Sequence, residues 1–164
     1  MPFEPSVVVS AAEARAGDAM PPRGIDEALV ARAVEQLLVA IGEDPERTGL
    51  RKTPERVAAS YAELFAGYGI DPVSILEPLP GERGKGLIMV RDIPLASVCE
   101  HHLLPFTGTA AVAYLPGEDG HIAGLSKLAR LIDVLGKRLQ VQERLVREAA
   151  DAVERALAPR GVFV

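Results

Sequence analysis

Residues 87–115 read LIMVRDIPLASVCEHHLLPFTGTAAVAYL, and two β-favouring runs frame the middle of this stretch. Leu87 to Val90 predicts one strand, and Thr107 to Leu115 a second, longer one whose Ala, Val and Tyr content suits a mostly covered sheet. A hairpin of these two strands places Cys99-Glu100-His101-His102 in the connection, near one end of the sheet. That segment holds the only cysteine and two of the three histidines of the chain. A thiolate and an imidazole three residues apart, Cys99 and His102, can grip one Zn²⁺, which favours sulfur and nitrogen ligands. His101 beside them offers proton transfer near neutral pH. The plainer alternatives are a lone cysteine acting as a small buried hydrophobe and a surface His-His pair.

Outward from this stretch, the pattern turns helical on both sides. Asp26 is a helix cap for an amphipathic run with Leu29, Val30, Val34, Leu37, Leu38 and Ile41 on one side, closed by Gly42. Thr53-Pro54 caps a second run with Val57, Tyr61, Leu64 and Phe65 in a stripe, stopping at Gly67. After the turn Pro116–Gly120, helices are expected from Ser126 to about Leu139 and from Val141 to Leu157. The latter carries Arg144 and Glu148 as an i, i+4 pair. Val162-Phe163-Val164 begins another apolar, β-favouring run. The expected class is α+β. A flexible arm spans residues 1–24, an N-terminal helical hairpin 25–70, and the domain with the candidate chemistry 71–164.

Composition narrows the function classes. The formal net charge of -5 argues against general nucleic-acid binding, so any anion site must be local. No stretch approaches the ~20 apolar residues of a membrane span. The first twenty residues lack a basic region ahead of Val7-Val8-Val9, which argues against a signal peptide. A single cysteine excludes an internal disulfide and suits a reducing cytoplasm.

Two further constellations carry candidate chemistry. Gly124-Leu125-Ser126-Lys127 enters a helix, where free N–H groups and a partial positive charge favour phosphate, with Arg130 one turn on. Arg56 is a candidate basic group from elsewhere. Gln140-Val141-Gln142-Glu143-Arg144-Leu145 opens the last helix, and a carboxylate there can accept two N–H bonds from a guanine-like edge. The plainer readings are a Ser-capped helix start and a glutamate favoured by the helix dipole.

Taken in order, Val98–His102, Tyr114-Leu115-Pro116, Gly124–Arg130 and Gln140–Leu145 resemble the GTP cyclohydrolase I family, from near Glu43–Leu50 and Lys52–Val57 onward. The resemblance implies the tunnelling fold, an antiparallel sheet with a pair of long helices, assembled into a toroidal homodecamer with active sites between subunits. It implies zinc-dependent hydrolysis of GTP at C8, formate release and formation of 7,8-dihydroneopterin triphosphate, the entry to folate and related pterins. Cys99 and His102 then match two of three protein zinc ligands, and His101 matches the catalytic acid/base group. Ser126, Lys127 and Arg130 match the triphosphate contacts, Gln142 and Glu143 the guanine anchor, and Arg56 a residue reaching a neighbouring subunit's site. The family's third zinc ligand, a cysteine beyond the strand near Val162, has no counterpart in this sequence. The expectation is therefore a C-terminally truncated chain lacking the second half of the sheet, with His121 a poor substitute ligand and Fe²⁺ or Mn²⁺ able to occupy a weakened site. The alternative is a catalytically incomplete paralogue that binds nucleotide or docks onto full-length rings. Another tunnelling-fold enzyme acting on a purine-like ring would explain Glu143 but not the Cys-Glu-His-His segment.

Overall fold

The computed structural model describes residues 24–80 and 86–164. In chain order its elements are α1 (Glu27–Ala40), α2 (Thr53–Leu64), a 3₁₀ turn (Pro72–Ile75), β1 (Leu79–Pro80), β2 (Ile88–Cys99), β3 (Pro105–Leu115), β4 (His121–Ile122), α3 (Leu125–Gly136), β5 (Leu139–Gln140), α4 (Gln142–Leu157) and β6 (Gly161–Phe163). The class is α+β, as expected. The β2–β3 hairpin forms the centre of a sheet ordered β5-β2-β3-β6, antiparallel except for the β2–β5 pair. β1 and β4 make a separate two-stranded ladder. Leu128, Leu131, Ile132 and Leu135 of α3 and Leu145, Ala149, Val153 and Leu157 of α4 bury against Ile93, Val112 and Tyr114 of the hairpin. Those are the inward positions that the 3.6-residue period marks on both helices. No helix among the described residues is long and apolar enough to cross a membrane.

Several expectations change. The first strand does not stop at Val90 but runs twelve residues to Cys99. A bulge between Val90 and Ile93 absorbs the charged pair Arg91-Asp92, with Asp92 at φ 59°. Pro94 is tolerated because β5 lines the outer edge of β2 only at Val98 and Cys99. Leu139 is not the end of a helix: α3 ends at Gly136, and Leu139-Gln140 pairs in parallel with Val98-Cys99. Neither Thr53 nor Ser126 is a cap. Both lie inside helices that start earlier, behind Lys52 and Gly124.

Asp26 does cap α1, its Oδ1 accepting the Leu29 N–H at 2.9 Å. Of the apolar stripe on α1, however, only Leu38 is buried, while Leu29, Leu37 and Ile41 are more than half exposed. The reason is that α1 packs chiefly on α2, which covers one side of a wider apolar set. Val162 and Phe163 do form a strand, paired to Tyr114 and Ala113. The connection over 69–86, expected to be loop, supplies buried Ile75 and Leu76 to the core; residues 81–85 within it lie outside the described residues. The expected arm over 1–24 is also outside them, apart from Gly24.

Candidate active site

Because β2 is long, Cys99 is its last residue, and the hairpin reverses over Glu100–Leu104. The Cys99 N–H donates to the Leu104 carbonyl at 2.8 Å and the Leu103 N–H to the Cys99 carbonyl at 2.9 Å. Leu103 makes the tight return at φ 58°. Glu100, His101 and His102 project from this turn as exposed residues, with Cys99 half-buried beneath them. The Cys99 Sγ lies 4.0 Å from Nδ1 of His101. His102 turns elsewhere, its Nδ1 accepting the Leu104 N–H at 3.3 Å. A neutral ring in that arrangement carries its proton on Nε2. A metal on Nε2 would move that proton to Nδ1 and open the Leu104 contact. Among the described residues no group of three His, Cys, Asp or Glu side chains is placed to hold one ion. His121 does not complete a set: it pairs with Pro80, at the end of the hairpin away from the turn.

A polar network fastens the turn to the start of α4. Arg144 donates to the Glu100 carboxylate in a close ion pair, to Gln140 Oε1 at 3.0 Å and to the Leu139 carbonyl at 2.7 Å. The buried Gln140 side chain in turn donates to the Leu135 carbonyl at 3.2 Å and to Glu148 Oε2 at 3.1 Å. The Glu100 N–H bonds the Gln140 carbonyl at 3.1 Å. The expected Arg144–Glu148 helix pair does not form. Arg144 is drawn to Glu100 and Gln140, while Glu148 takes Gln140 and, at 3.8 Å, Arg138. Gln142 and Glu143 remain exposed in the first turn of α4, beside the Cys99–His102 segment.

Ser126 and Lys127 open α3 at the other end of the sheet. Gly124 caps that helix, Ser126 is exposed, and Lys127 Nζ lies 3.3 Å from Glu77 Oε2. Arg130 lines an open cleft of about 570 Å³ with Ile93, Pro94, Asp133 and Lys137. Tyr114 holds this end in place: its buried hydroxyl accepts the Ala123 N–H at 2.9 Å. Burial pushes the Tyr114 phenol above its ordinary value, against a smaller lowering by that hydrogen bond. Tyr114→Phe leaves the Ala123 N–H unpaired, so a loss of about 1–3 kcal/mol is expected in urea unfolding at neutral pH. The raised phenol has a sign as well. In the wild type the unfolded chain ionises first, so stability falls as pH climbs through and above 10, and Tyr114→Phe should lack that component. An identical alkaline slope in both proteins would contradict it.

The protomer thus brings Cys99, His101 and His102 together with Gln142 and Glu143, and keeps Ser126 and Lys127 apart from them. The twelve residues of α3 put about 18 Å between its ends. Arg56 lies exposed on α2 and joins neither group. A family model described as GTP cyclohydrolase I matches residues 30–164. The chain belongs to the GTP cyclohydrolase I family. The GTP cyclohydrolase 1 of Corynebacterium aurimucosum is 54% identical over 142 residues, covering 87% of this chain and 72% of the relative. That of Mycolicibacterium vanbaalenii is 53% identical over 139 residues, covering 85% and 69%. That of Mycobacterium ulcerans is 52% identical over 142 residues, covering 87% and 70%.

Within this GTP cyclohydrolase I family member, sequence reasoning quoted Glu100, Gln140 and Tyr114 inside motifs but assigned them no part in building the candidate site. It named Arg144 only for the wrong partner. Glu100 carried a signal, being a charged residue between two candidate metal ligands. Gln140 opened a quoted motif, but nothing marked it as buried, because its burial depends on β5.

Proposed function

We propose that this family member hydrolyses GTP at C8 of the guanine, releases formate and closes a new ring to give 7,8-dihydroneopterin triphosphate, in the cytoplasm and toward folate and related pterins. The observation that supports the reading is the junction of the 99–104 turn with the first turn of α4, made by the Glu100–Arg144 ion pair and the bond from the Glu100 N–H to the Gln140 carbonyl. It brings the segment bearing His101 and His102 to the helix turn bearing Glu143. In this reading Glu143, with Gln142 beside it, accepts N–H bonds from the guanine edge, and an ionised acceptor makes them strong. His101 manages the proton of the ring nitrogen as the imidazole portion of guanine opens. Ser126, Lys127 and Arg130 hold the triphosphate at the start of α3. The separation along α3 favours a homo-oligomer, in the family a decamer-type ring, in which neighbouring chains complete the site and Arg56 reaches across. Zn²⁺ is the metal that the sulfur of Cys99 and the nitrogen of His102 favour. These two donors fall short of the three protein ligands of a catalytic zinc site, so the described residues by themselves do not fit the ion.

The test is GTP turnover by the purified chain with Zn²⁺ supplied, scoring formate and, after oxidation, the fluorescent pterin. Formate and pterin in equal amounts would uphold the reading and would mean that a ligand besides Cys99 and His102 completes the zinc site. GTP binding without formate would assign instead a nucleotide-binding paralogue that docks onto full-length rings. Absence of both binding and turnover would overturn the reading.

A further inference from the structure

Two motifs carry the candidate chemistry, and each contains one charged residue that the proposed reaction assigns no role. In Cys99-Glu100-His101-His102 it is Glu100, whose Oε1 also lies 3.9 Å from Nε2 of His101, and in Gln142-Glu143-Arg144 it is Arg144. These two are paired with each other. The neighbouring His101 side chain is 71% exposed, whereas the Glu100 and Arg144 side chains retain only 33% and 30% exposure. Arg144 is held from behind by Gln140 Oε1 and the Leu139 carbonyl, so its guanidinium fork is fixed before it meets Glu100. The three acceptors match the planar, multi-donor geometry of arginine and not the point charge of lysine.

We propose that Glu100 and Arg144 form a strut that sets the 99–104 turn at a fixed position on the N-terminal end of α4. They are positioning residues: the strut holds the imidazoles at one place relative to the carboxylate of Glu143. Their value for turnover rests on the proposed GTP reaction, while the strut itself does not. The backbone link from the Glu100 N–H to the Gln140 carbonyl runs beside the ion pair and depends on the same alignment. Without Glu100 the guanidinium keeps its two acceptors on the β5 side and the turn is released. Without Arg144 the Glu100 carboxylate loses its cation and the turn is released equally.

The experiment compares Glu100→Ala, Arg144→Met and the double variant with the wild type, by amide hydrogen exchange and by GTP kinetics. Faster exchange is expected at Glu100 and Leu103 in all three variants, with the middle of α4 around Ala149 and Val153 unchanged. The GTP kcat should fall by roughly 10–100-fold, as for a reacting group displaced by about an ångström, with KM moving much less. The double variant should be no worse than the more damaged single one, because both act through one contact. Unchanged exchange at the turn, uniform loss of protection across α4, or fully additive effects would each overturn the strut. If the wild type turns over no GTP, the reaction assignment fails, and the exchange data still decide the strut on their own.

Discussion

Glu143→Ala should lower kcat/KM for GTP by roughly 100-fold or more while leaving thermal stability nearly unchanged. Hydrogen bonds to a charged group contribute about 1.5–3 kcal/mol each, and two such bonds to the guanine edge are at stake. The competing role for this residue is structural. A carboxylate in the first turn of α4 stabilises the helix dipole by about 0.3–1 kcal/mol when exposed. That term is too small to produce a hundredfold loss of activity, so magnitude separates the two roles. The surroundings agree, since the adjacent Arg144 turns to Glu100 rather than neutralising Glu143. Glu143→Gln should fall between the wild type and Glu143→Ala, because its amide keeps one acceptor but presents a donor to the second guanine N–H. Steady-state kinetics with melting curves check this. A loss below tenfold, or a loss that follows the melting temperature, would return Glu143 to a helix-start residue.

What the sequence disclosed divides along a physical line. The inward faces of α3 and α4 were legible because each stripe meets one sheet, so periodicity and burial coincide at Leu131, Leu135, Leu145 and Val153. The stripe on α1 was legible as amphipathic but not as buried, because burial depends on what lies opposite, and only part of it faces α2. The hairpin was legible at its ends and not at its middle, where a bulge at Asp92 and a proline on a partly unpaired edge imitate a break. Candidate site residues with distinctive chemistry, Cys99, His101, His102 and Glu143, could be named from residue type and motif. Their supports could not, because Glu100, Gln140 and Arg144 meet across β5, a two-residue strand too short to leave a pattern. The separation of Ser126 and Lys127 from the turn was equally hidden, being a consequence of the direction in which α3 crosses the sheet.

Gly67 illustrates the same limit with a larger consequence. As a residue after an amphipathic run, it reads as a helix stop. Its place in the structure demands glycine for a different reason. A β-carbon there would lie 2.0 Å from the Val134 carbonyl oxygen and 2.8 Å from that of Lys137, both backbone atoms. The Gly67 N–H donates to Lys137 at 3.0 Å, and its carbonyl accepts from Arg138 Nε at 3.0 Å. Arg138 Nη2 reaches the Ile70 carbonyl at 2.6 Å, and the Tyr68 hydroxyl accepts the Leu139 N–H at 2.9 Å. Gly67→Ala cannot be relieved by a rotamer change; the segment after α2 must move off the end of α3 and strain this set of bonds together. Overpacking costs about 1–3 kcal/mol and more where backbone must shift, so a loss of at least 3 kcal/mol is expected. For a chain of this size that is a fall of about 6–12 °C in Tm. Gly42→Ala provides the contrast: its φ of +85° strains any side chain, but nothing lies within 4 Å of the added carbon. That strain costs about 1–2 kcal/mol. Urea and thermal unfolding of the two variants decide the matter. If Gly67→Ala costs no more than Gly42→Ala, the close approach of the α2 end to α3 is not what fixes glycine at position 67.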